Sequence, residues 1–288
     1  MSSDRAHNLR HRLSGGETVL MPGVWDPLSA LLTRDAGFTT MFMSGFCVSA
    51  TLLGEPDIGL VTQAEMAEVA RRVCAAVPDI NVVVDADTGY GNPSNVIRTV
   101  DLWEQAGAAG MFLEDQVWPK KCGHMDGKQV VPRQDWLAKL RAAVDHRDAL
   151  HITARTDARG VEGLPEAIER AKMARDTGVD AVFVEAPQSI EELETIAAAL
   201  PDITLVANMV ETGKTPLLTP TELSSLGFHL IVSPLTSLFS MTKAISESLQ
   251  ILATNGTMRD HLDRLTPFDE FTAVVGLDKH LANEADYR

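Results

Sequence analysis

The stretch AAVPDINVVVDADTGYG, from Ala75 to Gly91, decides the fold. It reads as the end of a helix, a Pro-Asp turn, the apolar run Val82-Val83-Val84, and then an abrupt exit into Asp85-Ala86-Asp87 and Gly89-Tyr90-Gly91. The junction has an echo far downstream. AALPDITLVA, from Ala198 to Ala207, passes from helix to strand through the same Pro-Asp step.

Working outward, short β-rich apolar runs recur at Thr18–Met21, Thr39–Met43, Val82–Asp85, Gly110–Leu113, His151–Arg155, Ala181–Glu185, Thr204–Asn208 and Leu230–Ser233. Amphipathic helical segments separate them. Several strands follow a helix-ending glycine, as in Ala36-Gly37-Phe38, Ala106-Gly107-Ala108, Thr177-Gly178-Val179 and Leu226-Gly227-Phe228, which suits a left-handed helix cap before a short turn. Eight βα units in roughly 250 residues match the count of a (β/α)8 barrel, with a doubly wound sheet as the alternative. No Ser/Gly linker divides the chain. One barrel domain over 1–288 is expected, with a C-terminal helical extension from about residue 235 to 288. The Leu-rich stretch Leu235–Leu252 reads as a packing helix.

Barrel chemistry sits at the carboxyl ends of the strands. Here those ends read Pro22-Gly23, Ser44-Gly45, Asp85 to Asp87, Glu114-Asp115, Arg155-Thr156-Asp157, Glu185, Asn208 and Ser233-Pro234. Strand side chains alternate faces, so Asp85 and Asp87 are expected to point the same way, with Glu114 on the neighbouring strand. Like carboxylates so close need a cation, and hard oxygens without clustered histidines favour Mg²⁺ or Mn²⁺ over zinc. The alternative for the two aspartates is a loop-capping pair.

The run EDQVWPKKCGH, Glu114 to His124, places a lone thiol in a cationic loop just beyond that cluster. Cys122 among Lys120, Lys121 and His124 is a candidate proton donor, although most cysteines are small buried hydrophobes. Cys47 and Cys74 are read as structural. His124 has no second histidine at metal spacing, so it is read as a loop-orienting or substrate contact. The segment Gln116–Val131, punctuated by Gly123 and Gly127 and carrying Lys120, Lys121 and Lys128, has too little apolar content to stay docked unaided and is expected to act as a lid with exposed lysines. Gly89 and Gly91 do not make a nucleotide fingerprint, because Ser94 stands where the third glycine belongs.

Composition bounds the rest. The net charge of −15 argues against nucleic acid or an anionic membrane as the main partner. Three widely spaced cysteines, with no C-x-x-C pair, indicate reduced thiols rather than a disulfide framework or a zinc site. MSSDRAHNLRHRL lacks an apolar signal core and no run is long enough to span a membrane, so a cytoplasmic protein is expected.

With these residues in view, the chain resembles the isocitrate lyase and phosphoenolpyruvate mutase superfamily. The resemblance runs from about Leu20 to Thr257 and rests on MSGFCVSATLLGEPDIG (Met43–Gly59), VDADTGYGN (Val84–Asn92), LEDQVWPKKCGHMDGK (Leu113–Lys128), ARTDA (Ala154–Ala158), FVEAP (Phe183–Pro187) and NMVETGKTP (Asn208–Pro216). It implies a modified (β/α)8 barrel, a bound Mg²⁺, a gating loop and a homotetramer. Ser44, Gly45 and Phe46 then map to substrate contacts through backbone amides, and Asp57, Asp85, Asp87 and Glu114 to the metal shell. Arg155, Gly123, Glu185 and Asn208 map to the substrate, with Lys120, Lys121 and His124 beside the general acid Cys122.

The KKCGH loop is similar to that of the carbon-carbon lyases, whose carbanion-like product needs a proton, whereas phosphoryl migration does not. Methylisocitrate lyases carry a threonine and an arginine where Val210 and Ser240 stand here, which removes the partner of a third carboxylate. Oxaloacetate hydrolases tend to carry a serine at the place of Pro234. The expected substrate is therefore a small 2-hydroxy dicarboxylate of the 2-alkylmalate type. The alternatives are a methylisocitrate lyase, an oxaloacetate hydrolase, a carboxyphosphonoenolpyruvate mutase, which also has a KRCGH-type loop, and, more distantly, a non-catalytic small-molecule binder.

Overall fold

The computed structural model describes residues 2–288. All eight apolar runs form strands: β1 (Val19–Val24), β2 (Thr40–Met43), β3 (Asn81–Asp85), β4 (Gly110–Glu114), β5 (His151–Thr156), β6 (Ala181–Val184), β7 (Thr204–Asn208) and β8 (Phe228–Ser233). They pair in parallel in chain order, and β1 closes on β8 through Val19 opposite Leu230. The doubly wound alternative is thereby excluded. β1 runs through Pro22-Gly23 to Val24, so its polar exit lies later than the sequence suggested.

Two apolar layers follow from strand alternation. Phe42, Val83, Phe112, Phe183, Val206 and Val232 fill the barrel interior. Their neighbours Met41, Met43, Val82, Val84 and Met111 face outward onto the surrounding helices. Those helices are α2 (Pro27–Asp35), α3 (Gly45–Val48), α4 (Gln63–Ala76), α5 (Pro93–Ala106), α6 (Arg133–His146), α7 (Leu164–Arg175), α8 (Ile190–Ala199), α9 (Pro220–Ser225) and α10 (Thr236–Asn255). Their boundaries are set locally. Asn92 caps α5 ahead of Pro93, and Gly107 ends it in the left-handed region at φ 90°.

The N-terminal segment, read from sequence only as lacking an apolar signal core, forms the amphipathic helix α1 (Ser2–Ser14) across the barrel floor. Leu9 and Leu13 join the interior layer. At the other end of the chain, α11 (Phe268–Val274) and α12 (Leu277–Ala285) follow α10. Only Leu238 of α10 is buried, and Ile245, Leu249, Leu252, Phe268 and Leu281 are exposed, so this extension packs little of its apolar surface within the chain. No helix among the described residues is long and apolar enough to cross a membrane.

Candidate active site

The carboxylates meet at the carboxyl end of the barrel, though not by the expected route. β3 ends at Asp85, and Asp87 lies beyond it with φ at 45°, so strand alternation does not align the pair. A tight turn does so instead, with the Asp87 amide donating to Asp85 Oδ1 at 3.1 Å. Gly45 packs onto Asp85 so closely that a Cβ there would fall 2.9 Å from Oδ2, and its amide donates to that oxygen at 3.3 Å. The Ser44 amide donates to the Val24 carbonyl.

Lys120 descends from the loop into this cluster and lies 2.6 Å from Asp57 Oδ1 and 2.7 Å from Asp87 Oδ1. Burial alone would lower its pKa, but Asp87, Asp57, Asp85 and Glu114 together hold it well above the usual value. One ammonium does not balance four carboxylates. Burial pushes Asp87 up to about 6, against the pull of Lys120. Glu114 is also raised well above its ordinary value, by burial first, although Arg155 Nε stands 3.4 Å from it.

Among the described residues, no three His, Cys, Asp or Glu side chains converge in metal-ligating geometry, and Lys120 occupies the space between Asp57 and Asp87. Their chemistry nevertheless fits a hard divalent cation. All donors are carboxylate oxygens, they are buried, and Glu114 Oε1 has no hydrogen-bond partner.

The loop Gln116–Val131 lies down over the barrel mouth, and its lysines are not the exposed set that its composition suggested. Lys120 and Lys128 are each 4 % exposed at the side chain. Polar bonds do the docking that apolar content could not. Gln116 clamps the backbone of Lys121 at both its amide (2.9 Å) and its carbonyl (2.8 Å), and the Cys122 amide donates to the Asp57 carbonyl at 3.1 Å. His124 Nδ1 accepts from the Lys214 amide at 3.1 Å, and its Nε2 stands 3.5 Å from Glu185. Burial lowers the pKa of His124, so it is neutral at pH 7.

Burial also pushes the Cys122 thiol up to about 11, with the Asp57 and Glu185 carboxylates adding to the rise. The group is therefore a protonated thiol at neutral pH. Arg155 lines the same cavity, ion-paired with Asp157 Oδ2 (3.0 Å) and Glu185 Oε2 (3.1 Å) and lying 5.4 Å above the Phe183 ring. Asn208 Nδ2 donates to the same Glu185 carboxylate at 3.3 Å.

One cavity collects nearly all the residues singled out from sequence. Ser44, Phe46, Asp57, Asp85, Lys120, Lys121, Cys122, Gly123, His124, Arg155, Glu185, Asn208, Val210 and Pro234 line it, over a floor of Phe42, Phe112 and Phe183. Asp87, Glu114 and Gly45 do not line it. The first two are almost wholly buried. Ser240 is exposed on α10 and does not line the cavity, so the case against a third carboxylate rests on Val210 and Pro234.

Sequence reasoning gave no contact to Gln116 or Asp157, and it read Lys128 only as an exposed lysine of the loop, which its burial overturns. Asp157 stood inside the quoted ARTDA motif, where its proximity to Arg155 was the available signal. For Gln116 there was none. Asp115, next to Glu114, points away from the cavity to Thr156 Oγ1 (2.6 Å), the Asp157 amide (2.8 Å) and Arg170 (3.2 Å).

An eight-stranded barrel with buried acidic residues, an arginine and a protonated thiol at its mouth has the layout of a barrel enzyme. Comparison with known proteins agrees. The family model described as phosphoenolpyruvate phosphomutase matches residues 9–253. The chloroplastic carboxyvinyl-carboxyphosphonate phosphorylmutase of Arabidopsis thaliana is 49% identical over 93% of this chain and 80% of its own length. The 2,3-dimethylmalate lyase of Eubacterium barkeri is 41% identical over 98% of both chains. A solved phosphonopyruvate hydrolase, in complex with oxalate and Mg²⁺, superimposes with a TM-score of 0.89 at 26% identity, over 98% of this chain and 99% of that one. The chain belongs to the phosphoenolpyruvate mutase and isocitrate lyase superfamily.

Proposed function

We propose that this enzyme is a Mg²⁺-dependent carbon-carbon lyase that cleaves a small 2-hydroxy dicarboxylate of the 2-alkylmalate type to an α-keto acid and a carboxylate. The observation that carries the reading is a neutral thiol, Cys122, lining the same cavity as Arg155 and Glu185. Arg155 pairs with a substrate carboxylate, and Asn208 and Glu185 orient its polar oxygens. As the C2–C3 bond breaks, the C2 hydroxyl gives its proton to one of the carboxylates lining the cavity (Asp57, Asp85 or Glu185) and becomes the keto group, and the bonding electrons pass to C3. The Cys122 Sγ proton then goes to C3. Asp85, Asp87 and Glu114 are the residues that would hold Mg²⁺, which when bound supplies charge stabilisation for the developing oxyanion.

Val210 and Pro234 present an apolar wall to the cavity, which suits an alkyl substituent and offers a third carboxylate no cation. The 49% identity to a phosphorylmutase favours phosphonate chemistry as the second reading. The exposed apolar extension after β8 supports a homo-oligomer.

Turnover of Cys122→Ser tests the proposal directly, on a panel of alkylmalates, methylisocitrate, oxaloacetate and a phosphonate. The wild type should release α-keto acid fastest from alkylmalates, exceeding methylisocitrate by at least ~10-fold in kcat/KM. Cys122→Ser should lower kcat by roughly 10²-fold while still binding oxalate. Near-normal turnover in Cys122→Ser would remove the thiol as the proton donor, and rapid phosphonate rearrangement by the wild type would replace this reading with the mutase.

A further inference from the structure

We infer that Lys128 is a positioning residue that sets Cys122 at the reaction centre by clasping the Cys122-Gly123 turn of the lid to Asp157 at the end of β5. Its ammonium donates to the Gly123 carbonyl and lies 2.8 Å from Asp157 Oδ1. Both partners are fixed. Asp157 is fully buried, receives Arg155 Nε at Oδ2, and donates its own amide to Asp115 Oδ1 at 2.8 Å. Gly123 packs so tightly that a Cβ would fall 2.5 Å from both Arg155 Nη2 and Glu185.

The ordinary expectation for a loop lysine is a solvated charge. Burying one is tolerated only when it is paired and hydrogen-bonded, so the depth of Lys128 argues for a specific role in this loop. Register makes the reach possible. The outgoing limb of the loop is tied to the incoming one by the Val117 amide on the Gln129 carbonyl at 2.8 Å and by the antiparallel bridge of Gln116 with Val130. Of the lid's further ion pairs, those of Lys120 belong to the carboxylate cluster, and that of Lys214 with Asp126 is solvent-exposed and contributes little.

Asp157 thus holds Arg155 through both oxygens and, by way of Lys128 on Oδ1, the carbonyl next to Cys122. The same buried carboxylate sets the spacing between the substrate-binding guanidinium and the thiol. Removing Lys128 frees the acid without removing any group that touches substrate. The loss should fall on kcat rather than KM.

This inference rests on the reading of Cys122 as proton donor, so the deciding measurement does not depend on turnover. It is the rate at which iodoacetamide labels Cys122 in the full-length protein with Mg²⁺ and oxalate present, located by peptide mass. Lys128→Met should label at least ~10-fold faster, with kcat lowered at least ~10-fold and KM within about 3-fold of wild type. Lys128→Arg should recover most of both. Asp157→Asn should label as fast as Lys128→Met, and the double variant no faster than either single one, because the two residues form one clasp. If Lys128→Met fails to fold, Asp157→Asn carries the same measurement. Labelling at the wild-type rate in a folded variant overturns the inference. Fast labelling with normal kcat leaves the clasp standing and removes Cys122 as the acid.

Discussion

At the barrel floor, three arginines of the N-terminal helix meet partners that were waiting for them. Arg5 donates to the carbonyls of Gly107 (2.6 Å) and Pro78 (3.0 Å), Arg10 to Asp180 (2.7 Å) and the Leu150 carbonyl (2.7 Å), and Arg12 to Thr40 Oγ1 (2.8 Å). At the mouth, Lys120 serves Asp57 and Asp87 at once, Arg155 stands 3.4 Å from Glu114 while also pairing with Asp157 and Glu185, and Glu114 Oε1 is unpartnered. Backbone strain divides the same way. The non-glycine residues with positive φ among those described, Asp87, Tyr90, Ala186 and Thr212, all stand in loops at the carboxyl ends of β3, β6 and β7. The floor is arranged for stability, and the mouth keeps costly arrangements whose use is in ligand binding and chemistry.

The sharpest way to break this contrast is Asp87→Ala. It should cost roughly a thousandfold in turnover, the several kcal/mol expected of a lost metal contribution, and abolish the thermal stabilisation by Mg²⁺. Without divalent cation its melting temperature should not fall, since a buried carboxylate that titrates at about 6 has been removed from a crowd of like charges. A marked fall would mean that the mouth contributes to stability as the floor does.

Leu9→Ala makes the reciprocal test. Leu9 is fully buried inside the barrel, so the substitution should lower stability by about 2–5 kcal/mol, as large-to-small core changes do. Below its melting range kcat and KM should match wild type. A changed kcat would show that the floor reaches the chemistry.

The smallest effect is a pH dependence that belongs to the floor. His151, at the start of β5, is held down to about 4 by burial, with Arg10 and Arg147 adding to the fall and Asp180 opposing it. Between about 4 and 6.5 the unfolded chain binds the proton that the folded one refuses. Stability should therefore decline as pH falls through that window, by up to about 3 kcal/mol. His151→Gln should flatten the decline seen in thermal melts from pH 7 to pH 4. An equally steep decline in the variant would assign the acid sensitivity elsewhere.

The strands were legible because a buried parallel strand is a short, nearly unbroken apolar run, and Val82-Val83-Val84 can hardly be anything else. The polar exits were legible for the same reason, as they stop each run abruptly. Position along the chain did not convey the direction of a side chain outside regular structure. Asp85 and Asp87 come together through a turn with a left-handed residue, and Glu114 and Asp115, adjacent in sequence, serve the mouth and the brace behind it separately. Helix α1 stayed hidden because its apolar face is only a few residues wide and has meaning only against the open end of a barrel.

By itself the sequence determined the eightfold alternation, the superfamily and most of the residues around the cavity, since these follow from local periodicity and from motifs that keep their order along the chain. The tertiary structure alone decided that Lys120 enters the carboxylates, that Gln116 and Lys128 hold the lid, and that Asp157 joins the thiol to the arginine. Those contacts link residues 2 to 63 positions apart through side chains whose partners are fixed only once the barrel has closed.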